Sequence, residues 1–295
     1  MLTPFTSRYA VVDGVPLHVA DFGGSGPPVV CVHGLGGSHI NWVSVAGGLG
    51  RLGRVSALDL PGFGFSPATR RTSSMEALRR TLDGYLRSLE EPALLVANSM
   101  GGTVSLLQAA AAPETVRGLV LVSAAVPRAP GVWPDSEVTA LFSLYLVPGL
   151  ARSAVAARRT RMTPEEIARW TLDLCSPRAA RIPPDVVKAH VDVAIRRSRF
   201  AGADRALVRT ARSMLTSIAK ANDFDKVVAT VAAPTLVVQG RDDRLVRHHS
   251  VARLAALRPD WDVRILDDVG HIAMLEVPAT FVETVGEWAG QRAAA

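Results

Sequence analysis

The sequence has 295 residues, of which 48% are hydrophobic and 20% are charged. These proportions predict a globular chain with a large core rather than a disordered chain. It contains no run of about 18 uncharged apolar residues, so no membrane span is predicted. Residues 1–14 lack the pattern of a secretory signal, and two cysteines (Cys31 and Cys175) cannot form a disulfide framework. Together these features predict a cytoplasmic protein.

The formal net charge is +6, and the basic residues are concentrated in one part of the chain. Residues 128–222 hold 16 Arg or Lys against 8 Asp or Glu, an excess of +8, so the remainder carries −2. This excess favours an anionic substrate or surface, or it reflects Arg-rich helices that face solvent. Aromatic residues make up only 5% of the chain, so the basic residues do not predict a nucleic-acid partner.

The first third of the chain predicts short strands separated by glycine and proline. Residues 9–23 form a predicted antiparallel hairpin that turns at Asp13-Gly14, and further strands end at Val32 and near Asp59. A helix follows over residues 73–90, where Ser73 and Glu76 have the spacing of a capping box.

From residue 93 onward, continuously apolar strands alternate with helices. This pattern predicts an α/β fold with a mostly parallel sheet that is covered by helices on both faces. The alternation stops near Pro127, and residues 128–230 predict helices only, one of which begins with a capping box at Thr163. The predicted organisation is therefore an α/β core of residues 1–127 and 231–295 with a helical insertion of residues 128–230.

Ser99 stands where a predicted strand meets a helix, in the segment Ala97-Asn98-Ser99-Met100-Gly101. In sheets of this kind, reactive groups collect at the carboxyl ends of the strands. A sharp strand-to-helix turn strains its central residue and needs small residues two positions away, which Ala97 and Gly101 supply. Ser99 is therefore either a turn residue or a nucleophile placed at a helix N-terminus, where free N–H groups favour an oxyanion.

The glycine-rich loop of residues 33–38 follows the strand that ends at Val32. Its backbone can lend a second N–H, that of Leu35, to the same oxyanion as the N–H of Met100. We predict that His33 holds the turn of this loop. For Asp59, which ends the next strand, we predict a structural role.

Two late strands are followed by residues that could assist Ser99. Asp242 and Asp243 follow one strand, and His271 follows the last one. An imidazole can accept the serine proton only if a carboxylate fixes its tautomer, and successive side chains leaving a strand point to opposite sides. Only one of the two aspartates can therefore face His271.

This order of Ser, Asp and His on an alternating sheet resembles the α/β-hydrolase superfamily of serine hydrolases. The resemblance covers the chain outside the insertion. It implies an eight-stranded sheet, a helical lid that is formed by the insertion, and no metal or organic cofactor. It also implies that Asp243, three places after Gly240, is the acid. "NSMGG" (98–102) is similar to the nucleophile turn of hydrolases that cleave carbon–carbon bonds in meta-ring-fission products, whereas "HGLGGSHINW" (33–42) looks more like ordinary esterases.

The resemblance implies a carboxylic-ester hydrolase that acts on a small-molecule ester or related acyl compound. Carbon–carbon bond hydrolysis of a dienoic ring-fission product is an alternative, and a non-catalytic ligand-sensing module is an alternative of another class. Within the insertion, the apolar residues 140–157 either line a substrate channel, with Leu141 and Leu144 as wall residues, or pack the lid core. A homo-oligomer is left open.

Overall fold

A single sheet of eight strands organises the protein, for which a computed structural model describes residues 2–68, 73–129, 131 and 135–293. The strands are β1 (Thr6–Val12), β2 (Val15–Gly23), β3 (Pro28–Val32), β4 (Arg54–Leu58), β5 (Ala93–Asn98), β6 (Val116–Val122), β7 (Thr235–Gly240) and β8 (Asp262–Leu266). Their order across the sheet is β1-β2-β4-β3-β5-β6-β7-β8. The pairs β1–β2 and β2–β4 are antiparallel and the other pairs are parallel, which confirms the predicted mostly parallel sheet.

Helices connect the strands and cover the sheet. The described α-helices are α1 (Ala46–Leu49), α2 (Met75–Arg87), α3 (Met100–Ala111), α4 (Ser136–Leu144), α5 (Pro148–Arg161), α6 (Pro164–Cys175), α7 (Pro184–Ser198), α8 (Ala203–Ala219), α9 (Ala221–Thr230), α10 (Val251–Leu257), α11 (Ala273–Glu276) and α12 (Pro278–Ala293). Short 3₁₀ turns cover His39–Trp42, Pro113–Thr115, Ala179–Arg181 and His248–Ser250.

The inner strands are continuously apolar because both of their faces are buried. Alternate residues of β5 divide between two clusters: Leu95 packs on the side of α2, α3 and α10, and Leu94 packs on the side of α1 and α12. Burial of apolar surface on both faces is worth about 25 cal/mol per Å². This burial stabilises the centre of the sheet, where Ser99 directly follows β5.

Two local predictions have different outcomes. The hairpin turns at Asp13-Gly14 as predicted, with positive φ angles of 50° and 75°. The capping box at Ser73 is wrong by one residue: Ser74 is the N-cap of α2 and its side chain accepts from Ala77 N. Glu76 therefore falls in the first turn, where it pairs with arginines three and four residues later.

The helices α4 to α9 lie between β6 and β7, where the sequence predicts only helices. The capping box at Thr163 is present, since its side chain accepts from Glu166 N and Glu166 reaches back to Thr163 N. Within the described ranges, no single helix is long and apolar enough to span a membrane; the pair 136–144 and 149–161 meets the criterion only together, with a bend of 106°.

Candidate active site

Ser99 occupies a strained turn between β5 and α3. Its backbone angles are φ 52° and ψ −118°, a conformation that residues other than glycine rarely adopt. Hydrogen bonds to the neighbouring strand hold this turn: Ser99 N donates to Val122 O at 2.9 Å, and Ala125 N donates to Ser99 O at 3.0 Å. The paired strands β5 and β6 thus fix the position of the Ser99 side chain.

Small residues around Ser99 are required by close approaches of the backbone. A Cβ on Gly101 would lie 2.3 Å from the carbonyl oxygen of Val32, and no side chain can occupy that space. A Cβ on Gly34 would lie 3.0 Å from the Cβ of Ser99, so the loop after β3 runs directly beside the serine. The glycines at both positions therefore have a steric cause.

Two backbone N–H groups near Ser99 have no acceptor among the residues that the structure describes. Met100 is the first residue of α3, so its N–H has no partner within the helix. Gly37 N donates to Gly34 O at 3.0 Å and closes the loop that carries Leu35. Among the described residues, neither the Leu35 N–H nor the Met100 N–H donates a hydrogen bond. Both groups are available to an anion.

His271 and Asp243 form a buried pair. His271 Nδ1 lies 2.8 Å from Asp243 Oδ2, and the two residues are each 3% exposed. The same carboxylate accepts from Leu245 N and Val246 N, both at 2.9 Å, and from Gln239 Nε2 at 3.0 Å. A carboxylate only accepts hydrogen bonds, so His271 Nδ1 carries the hydrogen of this contact. Nε2 therefore remains free to accept a proton.

Asp242 points away from this pair. Its Oδ2 lies 2.7 Å from Arg178, and its side chain is 39% exposed. Adjacent residues that leave a strand point to opposite sides, so only one of the two carboxylates can reach the imidazole. The geometry thus separates Asp243, against His271, from Asp242, in a surface ion pair.

Asn98 connects the serine turn to the histidine loop. Its Nδ2 donates to the carbonyl oxygens of Val122, at 3.1 Å, and His271, at 3.0 Å. The main chain of His271 is thereby tied to the residue that precedes Ser99. Within the described structure the Ser99 hydroxyl makes no hydrogen bond to the imidazole, a contact that often tightens only when substrate binds.

Asn98 and Gln239 were not predicted from the sequence as parts of this site. Both are buried amides at the ends of apolar strands, β5 and β7. A polar side chain in such a position must find hydrogen-bond partners, because an unsatisfied buried amide is costly. That requirement is the signal in the sequence that could have pointed to them.

Apolar side chains from the insertion pack over the loop that carries Leu35. Two apolar clusters meet here, the core cluster that includes Met100 and a cluster in the insertion. Both clusters are contacted by Leu35, Phe142, Leu207 and Leu215. Leu141 and Leu144, named from the sequence as wall residues, are partly buried on α4 but are not members of these clusters. Phe142, between them, is the residue of α4 that contacts both clusters. The insertion cluster contains Tyr145, Ala151, Val155, Val208 and Ala211.

His33 holds the glycine-rich loop, as the sequence predicts. Its Nδ1 donates to Gly34 O at 2.7 Å, and its Nε2 accepts from Leu60 N at 3.0 Å. The side chain is fully buried, and burial lowers the pKa of His33 to about 4. Its neutral form therefore matches both hydrogen bonds, and this histidine is a structural connection between the loops after β3 and β4.

A second histidine–aspartate cluster joins β2, the turn at His39 and the end of β4. The ligand atoms of His18, His39 and Asp59 all lie within 4.8 Å of one another. Both imidazole Nδ1 atoms lie close to Asp59 Oδ2, at 2.8 and 2.9 Å, and that of His39 forms a hydrogen bond with it. Asp59 also accepts from His39 N at 2.6 Å and Phe65 N at 2.8 Å. These contacts support the structural role predicted for Asp59.

The ionisation of Asp59 follows from the same contacts. Burial raises the pKa of this carboxyl, but the contacts from His18 and His39 outweigh burial and hold its pKa well below the usual range. The carboxylate therefore stays charged and anchors the turn that begins at His39.

Comparison with known proteins agrees with this architecture. A family model described as the alpha/beta hydrolase fold matches residues 27–278, and the chain belongs to this family. The protein is thus a hydrolase by family. It is 28% identical to a 2-hydroxy-6-oxononadienedioate/2-hydroxy-6-oxononatrienedioate hydrolase of Cupriavidus pinatubonensis, over 97% of this chain and 96% of that protein.

Solved structures show the same fold at lower sequence identity. Cfl2 of Burkholderia cenocepacia is similar with a TM-score of 0.82 and 23% identity, over 96% of this chain and 95% of that chain. A membrane phospholipase A is similar with a TM-score of 0.76 and 21% identity, over 99% and 87% of the two chains. These proteins confirm the predicted α/β-hydrolase fold.

Proposed function

We propose that this protein is a serine hydrolase that cleaves carboxylic esters through an acyl-enzyme. The observation that carries the proposal is the 2.8 Å contact of His271 Nδ1 with Asp243, in a loop that Asn98 ties to the strained turn at Ser99. In this proposal Ser99 is the nucleophile, His271 is the general base and then the general acid, and Asp243 orients His271.

The reaction proceeds in two steps. Ser99 Oγ attacks the ester carbonyl carbon while its proton passes to His271 Nε2, and that proton then leaves with the alcohol. Water next attacks the acyl carbon, gives a proton to Nε2, and the acid is released as the proton returns to Ser99. No metal or organic cofactor takes part in either step.

The N–H groups of Leu35 and Met100 are proposed to hold the oxyanion in both steps. Both lie next to Ser99 and neither has an acceptor within the described structure. Preorganised donors at such a place lower the barrier because they need no reorientation when the charge develops. A lost donor of this kind costs about 100- to 1000-fold in kcat.

The substrate we propose is a small-molecule ester with an apolar acyl group. Leu35 and Phe142 bring apolar surface from the core and from the insertion to the same place, beside the predicted oxyanion hole. We propose accordingly that helices between β6 and β7 act as a lid that selects the acyl group, with the sheet supplying the reacting groups.

Carbon–carbon bond hydrolysis is the second candidate, and the sequence similarity favours it. The relative from Cupriavidus pinatubonensis, matched over nearly its whole length, is named a 2-hydroxy-6-oxononadienedioate/2-hydroxy-6-oxononatrienedioate hydrolase.

Labelling by a fluorophosphonate probe tests the nucleophile. We expect one label per molecule on Ser99, none on the Ser99→Ala variant, and none on unfolded protein. A folded protein that stays unlabelled would rule out the assignment of Ser99.

Turnover of p-nitrophenyl acetate and butyrate, compared with that of a dienoic ring-fission product, then separates the two candidates. A ring-fission product that turns over far faster than every aryl ester would establish the second candidate. No turnover of any substrate above the Ser99→Ala variant would favour a ligand-sensing module instead.

A further inference from the structure

Polar groups hold the main chain on both sides of His271. Its N–H donates to the carbonyl oxygen of Cys175 at 2.8 Å, and its own carbonyl accepts from Asn98. The N–H groups of Gly270 and Ile272 both donate to the carboxylate of Glu276, at 3.0 and 3.2 Å. One carboxylate therefore fixes the residue before His271 and the residue after it.

The insertion binds the same carboxylate. Ser176 Oγ donates to Glu276 Oε2 at 2.6 Å, and the two residues are 2% and 5% exposed. Both oxygens of Glu276 accept hydrogen bonds, as those of an ionised carboxylate do. The O–H of a protonated carboxyl would need an acceptor, and these contacts supply none. Loss of this group would leave buried donors unsatisfied beside the histidine.

The residues after α6 are packed tightly against the histidine loop. A Cβ on Gly270 would lie 2.7 Å from Cys175 O and 2.8 Å from Pro177 Cδ, so there is no gap between them. Arg178 continues this contact with ion pairs to Asp242, which adjoins the proposed acid, and to Asp268, which precedes the histidine. Residues 175–178 (the 175–178 segment) thus contact the loops of both His271 and Asp243.

We propose that Glu276 and Ser176 are positioning residues for His271, through which the 175–178 segment orients the imidazole. This inference rests on the proposed function, in which Nδ1 must face Asp243 while Nε2 faces the serine. The direction of the ring is set by its main chain, and a displacement of about 1 Å can cost about a hundredfold in rate.

Charged groups lie on three elements around the histidine loop. The charged groups around the histidine are Asp243 on the loop after β7, Glu276 on α11 and Arg178 in the 175–178 segment. The Cys175 thiol stays neutral, because burial and the carboxylates of Asp243 and Glu276 raise its pKa to about 12.

The test compares Glu276→Gln, Ser176→Ala and the double variant with the unaltered protein. We expect each single change to lower kcat for a short aryl ester by about tenfold to a hundredfold, with KM changed by less than about twofold. The double variant should lose less than the product of the two single losses, because both residues act through one contact. Ser176→Thr, which keeps the hydroxyl, should retain most of the activity.

The NMR resonance of the His271 Nδ1 proton, which contacts Asp243, supplies a readout that needs no substrate. The resonance is assigned by its absence in His271→Gln, and it should shift in Glu276→Gln and in Ser176→Ala as the imidazole loses its fixed orientation. Glu114→Gln is the matched control, since Glu114 is an exposed partner of Arg87, and it should change neither kcat nor the resonance.

The outcomes are distinct. Unchanged kcat and an unchanged Nδ1 proton resonance, with only a lower unfolding midpoint, would overturn the inference and leave Glu276 with a structural role. If Glu276→Gln does not fold, Ser176→Ala carries the test, since it removes one oxygen from a turn. If the unaltered protein hydrolyses nothing, the proposed function fails, whereas the NMR resonance still decides whether Glu276 positions His271.

Discussion

The side-chain amide of Asn98 bonds the main-chain carbonyl of His271 across 173 positions of sequence, at 3.0 Å. Asn98 immediately precedes the strained Ser99 and also bonds Val122 on the neighbouring strand. One buried side chain at the end of β5 therefore links the serine turn directly to the histidine loop.

Asn98→Ala tests this connection. We expect a loss of stability of about 1–3 kcal/mol, because the His271 carbonyl oxygen loses the Asn98 donor and the Val122 oxygen keeps only that of Ser99. We also expect a fall in kcat of about tenfold or more as the histidine loop moves. Urea unfolding and ester kinetics measure the two effects. Asn222→Ala, at an exposed position of α9, is the control and should change neither quantity. Unchanged kcat in a destabilised Asn98→Ala protein would mean that the histidine loop holds its place without this bond.

Asp243→Asn should reduce kcat by about 10³- to 10⁴-fold with little change in KM. An amide at this position can donate to the imidazole and stabilise the wrong tautomer, an effect of this size in other serine hydrolases. Asp242→Asn is the matched control: it should change kcat by no more than a few-fold, since Asp242 bonds Arg178 at the surface. The opposite ranking of the two variants in steady-state kinetics would make Asp242 the acid.

His33 should make the protein less stable as the pH falls from about 6.5 to about 4. The pKa of this histidine is lowered to about 4 in the folded protein, so between these values the unfolded chain binds a proton that the folded protein does not. Stability thus rises with pH across this window, and His33 accounts for up to about 3 kcal/mol of it.

Urea unfolding at a series of pH values measures this slope. His33→Gln, although less stable overall, should show a flatter dependence between pH 4 and 6.5. The same change at the exposed His249 should leave the slope as it is. An equal slope in His33→Gln would show that other groups cause the acid sensitivity.

Substitutions on α4 should alter acyl-chain preference while leaving a very small ester nearly unaffected. Leu141→Ala and Leu144→Ala are expected to reorder a chain-length series, because one methylene in such a pocket is worth about 1–3 kcal/mol. Phe142→Ala should have the larger effect, since Phe142 packs against the same two apolar clusters as Leu35.

Ratios of kcat/KM across p-nitrophenyl acetate to decanoate are the measurement. Leu150→Ala, which trims a side chain that is 51% exposed, is the control and should keep every ratio. Constant ratios in all three α4 variants would mean that this helix only packs the insertion.

The sequence by itself determined the order of the strands and helices and the positions of the reactive residues. Continuous apolar strands between helices can be buried only in a parallel sheet, and such a sheet brings its strand ends to one edge. Gly101 and the residues around Ser99 could also be predicted from the sequence, because a sharp turn leaves no room for a Cβ at Gly101.

The tertiary structure alone decided what surrounds those residues. Ser176 and Glu276 are 100 positions apart, and nothing local in the sequence relates one to the other. The insertion likewise places Phe142, rather than its neighbours Leu141 and Leu144, in the clusters beside Leu35. Helical periodicity tells which residues share a face, but the partner of that face depends on how the helix crosses the sheet, and this is set by packing between segments distant in the chain.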